Sequence, residues 1–213
     1  MFYLIITMIM SVFMGSTSFL LAHAIENESK LKDILYKEGS NVLLRPIQKG
    51  DEKGLAPIFG DETSMKYYGQ EKIYSKDDIK KIVEKNVLNN QNPDREHYTF
   101  TILTDAGVSG LLTVWYPHRK ENAFEIGYVI DPHLSGLGIA TEAARLVIDA
   151  IDNPYIKIIA TVHPENKGSQ KVLEKLGFKR DLSRQGVTAP KTGKIRDYYI
   201  YVPKKENSIK SNL

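Results

Sequence analysis

The chain has 213 residues, enough for one domain with appendages, and its 42% apolar share is enough to build a packed core. A formal net charge of +3, with acidic and basic residues intermixed and no basic–aromatic stretch, argues against nucleic acid as a partner. With no cysteine there is no disulfide, thiolate nucleophile or cysteine-bound metal, and the five histidines (23, 97, 118, 133 and 163) lack metal-ligand spacing.

Residues 1–25 carry no charged side chain before Glu26. This run reads as a secretory signal, with Ala22-His23-Ala24 resembling a cleavage site, or as an anchor, because about 20 apolar residues span a bilayer. No Lys or Arg stands near Met1, which weakens the signal reading, and a later translation start is a third alternative. Residues 26–40 form a polar linker with one helical turn at most.

The segment 41–47 (NVLLRPI) is a predicted short strand ended by Pro46, and 49–59 a short, weak helix that Pro57 interrupts. Residues 60–73 are expected to be loop. Ser75, with Asp78 three residues on, starts a predicted helix Lys76–Asn89 as a capping-box pair. Three strands then form a meander: 97–104, 109–116 and 123–130, the first two joined through Asp105-Ala106-Gly107.

From Ile139 to residue 152 the apolar positions Ile139, Ala140, Ala143, Ala144, Val147, Ile148 and Ile151 recur at helical spacing. A strand at 155–162 follows. A helix between two strands makes them a parallel pair with a right-handed crossover. The amphipathic segment 167–178 is a second such helix, closed by Gly177. The last strands are FKRDLS and 196–202, and residues 204–213 are a polar tail.

Gly136 and Gly138 stand just ahead of the helix at Ile139. Glycines feeding a helix start make an anion site, because the first amides have no internal partner and no Cβ keeps the ligand off. A Walker-A loop would need a lysine after these glycines, and a dinucleotide fingerprint would need glycine at Thr141. Neither fits. On the strand 123–130, Phe124, Ile126 and Tyr128 face one way and Ala123, Glu125 and Gly127 the other. One acid among small residues invites a reason.

The stretches EIGYVIDPHLSGLGIATEA and HPENKGSQKVLEKLGF, in this order, resemble the GNAT N-acetyltransferase superfamily over 41–203. The pattern is most similar to the branch with ribosomal-protein N-terminal alanine acetyltransferases. The resemblance implies an α/β fold in the broad sense, an α+β mixed sheet that is mostly antiparallel, with one central parallel pair splayed for coenzyme A. Acetyl-CoA is then the cosubstrate, with no metal, and an amine is the acceptor.

On this resemblance His133, Ser135, Gly136, Leu137, Gly138, Ile139 and Ala140 hold the pyrophosphate. The family usually has Gln or Arg where His133 stands. Pantetheine lies as a pseudo-strand along Val129 and Ile130, and Asn166 holds its arm. Glu125 is the expected base, since an ammonium must lose a proton before attacking a thioester. A backbone amide near Gly127–Tyr128 is the expected oxyanion donor. Leu173 occupies the position where many relatives carry a tyrosine acid, so the resemblance shifts protonation of the leaving thiolate to Ser169 or to water.

Tyr67, Tyr68, Trp115 and Tyr116 are candidates for the acceptor groove. The acceptor itself stays open: a peptide N-terminus, a polyamine, an antibiotic amine or an amino acid. A rival of another class is a non-catalytic acyl-CoA-binding or membrane-tethered interaction module on the same fold. The expected location is a cytoplasmic catalytic domain, anchored through 1–25 or lacking that segment, with export the competing alternative.

Overall fold

The computed structural model describes residues 37–38, 40–68, 73–95, 97–115, 123–151, 157–184, 187–188 and 195–201. The apolar run 1–25, most of the expected linker, Tyr116 and the tail 204–213 lie outside the described residues. Among the described residues no helix is long and apolar enough to cross a membrane.

The described residues form nine strands in chain order: β1 Lys37–Glu38, β2 Leu43–Pro46, β3 His97–Thr104, β4 Gly107–Trp115, β5 Ala123–Ile130, β6 Lys157–Val162, β7 Phe178–Arg180, β8 Val187–Thr188 and β9 Ile195–Tyr201. The sheet runs β1-β2-β3-β4-β5-β6-β9-β7, and β8 pairs with β9. Every pairing is antiparallel except β5 with β6. The helices are α1 Glu52–Phe59, α2 Glu62–Met65, α3 Lys76–Gln91, α4 Ile139–Ile151 and α5 Lys167–Leu176. The mixed sheet with one parallel pair is the expected architecture.

Several local expectations hold for the reasons that suggested them. Ser75 accepts from the Asp78 N–H at 3.2 Å while the Asp78 carboxylate accepts from the Ser75 N–H at 3.3 Å, which closes a capping box at the start of α3. Gly177 ends α5 with φ +96°, a left-handed conformation that costs glycine little.

Others are corrected. The expected linker contributes β1, which pairs with β2. Pro57 does not interrupt α1: it lies near the helix end, where it removes one backbone bond, and Ile58 and Phe59 beyond it are buried. The expected loop 60–73 contains the short helix α2, because the Asp61 carboxylate accepts from the Ser64 N–H at 2.7 Å and Met65 is buried.

The two faces of β5 meet different surroundings. Phe124 and Ile126 join the largest core, under Ala143, Ala144, Val147 and Ile148 of α4 and Leu173 and Leu176 of α5. On the other face Val129 packs with Leu55 and Ile58 of α1 and Ile79 and Val83 of α3. Ala123, on that same face, belongs instead to a small cluster with Ile159 and Tyr198. Glu125 and Gly127 fall between these two clusters.

Candidate active site

The parallel pair opens partway along. Register partners run only from Ala123↔Lys157 through Phe124↔Ile158 to Glu125↔Ile159. Beyond that point β6 stays with β9, from Ile159↔Ile200 to Val162↔Asp197, and β5 stays with β4 as far as Gly110↔Ile130. The two strands therefore part just where Glu125 sits. The Asp131 N–H donates to the Ser109 carbonyl at 2.9 Å, and a Cβ at Gly110 would press on the Val129 carbonyl oxygen. Alternation thus turns the backbone of Val129 toward β4 and that of Tyr128 and Ile130 toward the opening. Of Val129 and Ile130, Ile130 presents its backbone groups to the opening and Val129 presents its own to β4. The side chain of Val129 is core.

At the far end of β5 a short 3-10 turn, Pro132–Leu134, leads into the glycines. Gly136 and Gly138 both have φ +85°, and a Cβ on either would meet nothing within 4 Å. The positive φ explains glycine at both positions. Both glycines are exposed, so the space beside their backbone is open to a ligand. The first bond of α4 runs from the Glu142 N–H to the Gly138 carbonyl at 2.9 Å, so the amides of Ile139, Ala140 and Thr141 precede the ladder.

Around this turn, Ser135 is exposed, Leu137 is exposed at 69%, and Ile139 turns inward at 6%. His133 is 89% exposed and its Nδ1 lies 3.0 Å from Asp131 Oδ1; the carboxylate accepts, so Nδ1 carries the proton, and the exposed Nε2 is an acceptor in the neutral ring and a donor only in the imidazolium. Glu142, an acid in the first turn of α4, would oppose an anion there, but it is engaged elsewhere. It accepts from Ser40 Oγ at 3.0 Å and the Asn41 N–H at 2.9 Å. Burial would raise its carboxyl, and these bonds outweigh that and hold it below the usual carboxylate range.

Glu125 is partly buried and accepts one hydrogen bond from a described residue, Thr161 Oγ1 on β6 at 2.7 Å. It is the last β5 residue to face a β6 partner. Trp115 is its cross-strand partner on β4, and a Cβ on Gly127 would stand 2.8 Å from the Trp115 ring. The indole therefore covers Gly127 on the Glu125 side of the sheet.

Of the other aromatic candidates, Tyr67 stacks on His163 with ring centroids 4.8 Å apart, beside the end of β6. Tyr68 belongs to the core: its ring meets Phe59 edge-on at 5.9 Å. Burial pushes its hydroxyl up to about 12, helped by Tyr74 and only partly relieved by a bond with Thr113. Tyr116 lies outside the described residues.

On the opposite face of β5, Asn166 caps α5 by accepting the Ser169 N–H through Oδ1 at 3.0 Å. Its amide NH₂ is the group suited to a carbonyl acceptor. Ser169 Oγ lies 3.0 Å from the Tyr128 hydroxyl. Burial pushes that phenol above its ordinary range, and the bond to Ser169 offsets only part of the effect. Leu173 is fully buried in the main core, so the position where many relatives carry an acid supplies packing here.

Two contributors escaped the sequence, Thr161 and the Tyr128 side chain. Thr161 had a signal, as the one hydroxyl in the apolar run IIATV. Tyr128 stood out only as one apolar-face residue among three.

A family model described as "Acetyltransferase (GNAT) domain" matches residues 41–179. YnaD of Bacillus subtilis (strain 168), named an uncharacterized N-acetyltransferase, is 29% identical over 142 residues, covering 66% of this chain and 80% of that protein. Spermidine N(1)-acetyltransferase of Escherichia coli K12 is 26% identical over 144 residues, covering 65% and 73%. Among solved structures, the ribosomal L7/L12 alpha-N-protein acetyltransferase RimL with coenzyme A superposes with a TM-score of 0.64. It is 17% identical, with coverage of 78% and 95%, and the likeness is one of fold.

Proposed function

The chain belongs to the GNAT acetyltransferase family, and on that premise we propose that it transfers an acetyl group from acetyl-CoA to a primary amine, either a peptide N-terminus or a small-molecule amine. One observation carries the proposal. The β5–β6 ladder stops at Glu125, and the glycine turn that can take a diphosphate lies at the far end of the same strand.

The residues fit the cosubstrate along its length. Amides from Gly136 to Ala140 in the Ser135–Ala140 turn meet the pyrophosphate, while the Ser135 N–H is given to the Pro132 carbonyl, and small residues suffice because the backbone does the binding. His133, as the imidazolium, adds a donor through Nε2. Backbone groups of Tyr128 and Ile130 face the opening and can pair with the pantetheine amides as a strand would. The Asn166 side-chain NH₂ donates to a pantetheine carbonyl.

The thioester then lies beside Glu125. The Glu125 carboxylate takes the proton of the attacking amine directly or through one water. The Tyr128 amide, which faces the opening, is the candidate oxyanion donor. As carbon–nitrogen bond formation proceeds, the carbon–sulfur bond breaks and its electron pair goes to sulfur. Ser169, at the start of α5, presents a hydroxyl to that charge. The catalytic unit is taken as residues 41–203.

The test is release of free CoA by the purified protein across a panel of peptide, polyamine, amino-acid and aminoglycoside acceptors. At least one amine should give stoichiometric CoA and N-acetyl product. Tight CoA binding without release for any amine would favour the non-catalytic acyl-CoA module instead.

Acetyl-CoA is a cytoplasmic metabolite, so we place the catalytic domain in the cytoplasm, tethered through 1–25 or made without that segment. Fractionation with N-terminal sequencing tests this placement. A mature chain starting at Ile25 in an exported fraction would overturn it.

A further inference from the structure

We propose that Tyr128 is a positioning residue for thiolate departure: its hydroxyl donates to Ser169 Oγ and so fixes the Ser169 proton toward the sulfur of the leaving group. The inference rests on the acetyl-transfer reading above and adds the residue that makes Ser169 competent.

The geometry comes from two elements far apart in sequence. Tyr128 is on β5, on the face that packs under α4 and α5, and Ser169 lies in the first turn of α5. Their hydroxyl oxygens are 3.0 Å apart, while the Tyr128 hydroxyl stands 3.4 Å from the Ser169 carbonyl. The shorter contact is the better bond. The Ser169 N–H is already given to Asn166 Oδ1, so the backbone at Ser169 is fixed and the free variable is the hydroxyl rotor. A lone serine hydroxyl rotates among several acceptors. With Tyr128 donating to its oxygen, its proton is left to point elsewhere, and the developing thiolate is the strongest acceptor there.

Why should the tyrosine donate rather than ionise? Burial raises its hydroxyl above the ordinary tyrosine range, so it keeps its proton throughout the reaction. A thiol, near about 8.5 in its ordinary state, cannot draw that proton away. The pair is therefore a hydrogen-bond chain and not a proton source. Tyr128 donates to Ser169, Ser169 donates to sulfur, and each bond polarises the next.

The atoms balance without a side-chain acid. The amine proton goes to Glu125, the carbon–sulfur electron pair goes to sulfur as thiolate, and water later supplies the proton that makes CoA-SH. Leu173, on α5, is buried in the core, so the hydroxyl offered to sulfur is that of Ser169 in the first turn of the same helix, held by Tyr128 of β5.

The two faces of β5 thus divide the work. Glu125 meets the amine on one side, while Tyr128 and Ser169 meet the sulfur on the other.

The experiment is a double-mutant cycle on the full chain, with kcat measured at saturating acetyl-CoA and amine, and the CoA dissociation constant measured separately. Ser169→Ala should lower kcat about tenfold, the scale of one hydrogen bond to a charged group. Tyr128→Phe should lower kcat by a comparable or smaller factor, leave CoA binding within about twofold, and have no further effect in the Ser169→Ala background. 3-Fluorotyrosine at position 128 has a stronger donor of nearly the same shape, so it should hold or raise kcat. This keeps the test open if the phenylalanine variant folds poorly.

Unchanged kcat in folded Tyr128→Phe, full additivity with Ser169→Ala, or an equal fall with fluorotyrosine would each overturn the inference. If the unaltered protein releases no CoA with any amine, the acetyl-transfer reading falls too, and the two failures are thereby told apart.

Discussion

Among the carboxylates of this sheet and its connections, Asp51 and Glu125 have surroundings that differ in kind. Asp51, just before α1, is 5% exposed and ringed by donors: both terminal guanidinium nitrogens of Arg45, the Gln48 N–H at 2.9 Å and Thr101 Oγ1 at 2.6 Å. Glu125 is partly exposed at the end of a ladder and receives one hydroxyl among the described residues, from Thr161. A carboxylate whose lone pairs are filled is held as an anion and ties elements together. One with lone-pair capacity left, at the edge of an opening, can take a proton and give it back. Position in the fold decides this: the acid in the charged run KGDEK is the buried one, and the acid in the apolar strand AFEIGYVI is the less saturated one.

The largest effect should come from the less saturated acid. Glu125→Gln keeps the shape and the capacity to accept from Thr161 but removes the base, so kcat should fall by roughly 10²–10⁴-fold. Thermal midpoint and acetyl-CoA affinity should hardly move. Raising the pH should recover part of the loss, because more of the amine arrives deprotonated. Near-normal turnover across pH would make Glu125 a structural acid and water the base, and the contrast with Asp51 would collapse.

The saturated acid should give the opposite pattern. Asp51→Asn leaves the Arg45 guanidinium without its anion, a change that costs about 3 kcal/mol at a buried pair. The urea midpoint should drop accordingly, while kcat per folded molecule stays within about twofold.

The pH dependence has a definite sign. Burial alone would raise the Asp51 carboxyl, but the bonds from Arg45, Thr101 and Gln48 outweigh it and hold it below the usual range. A lowered folded value stabilises the protein fully above the unfolded value, near about 4, and the gain is lost as pH falls through the folded value. Unfolding curves between pH 6 and 2 should therefore show the gap between wild type and Asp51→Asn closing on the acid side. A gap that persists at pH 2 would assign the loss to packing.

Much of this contrast could be read in the chain, and the unread part has a common cause. The glycine turn, the capping box at Ser75, the Gly177 cap and the alternation of β5 depend on neighbours within a few residues, so local pattern reported them. Glu125 stood out as an acid in a burial pattern. Its partner Thr161 is 36 residues away, and Tyr128 is 41 residues from Ser169. Such pairs exist only once the strands part and α5 docks. The turn of the Val129 backbone toward β4 likewise follows from register, which one strand read alone does not specify. Helix α2 is the exception: Asp61 with Ser64 is a local cap, but four residues are too few to show a helical period.

A third test separates holding the cosubstrate from moving the proton. At Gly138, φ +85° already disfavours a side chain, and a Cβ would project into the space beside the turn. Gly138→Val should weaken CoA binding by about tenfold or more, as the branched side chain blocks approach to the amides. Circular dichroism should be unchanged. Calorimetry with CoA is the measurement, and unchanged affinity in a folded variant would remove the turn from the site.

The finest test deletes one hydroxyl from each acid. Thr101→Val takes one donor of several from Asp51, leaving the arginine and the Gln48 amide, so turnover per folded molecule should be intact while stability falls modestly. Thr161→Val takes from Glu125 the one bond it receives from a described residue. The carboxylate then loses its fixed rotamer, and kcat should fall roughly two- to tenfold, the range expected for one hydrogen bond that orients a reacting group. Thr161→Ser should restore most of it, because Oγ returns without the methyl. In the Glu125→Gln background Thr161→Val should add nothing, since no base remains to be oriented. If Thr161→Val instead lowers stability and leaves kcat alone, Glu125 and Thr161 form a structural pair like Asp51 and Thr101, and the amine's proton must leave through solvent.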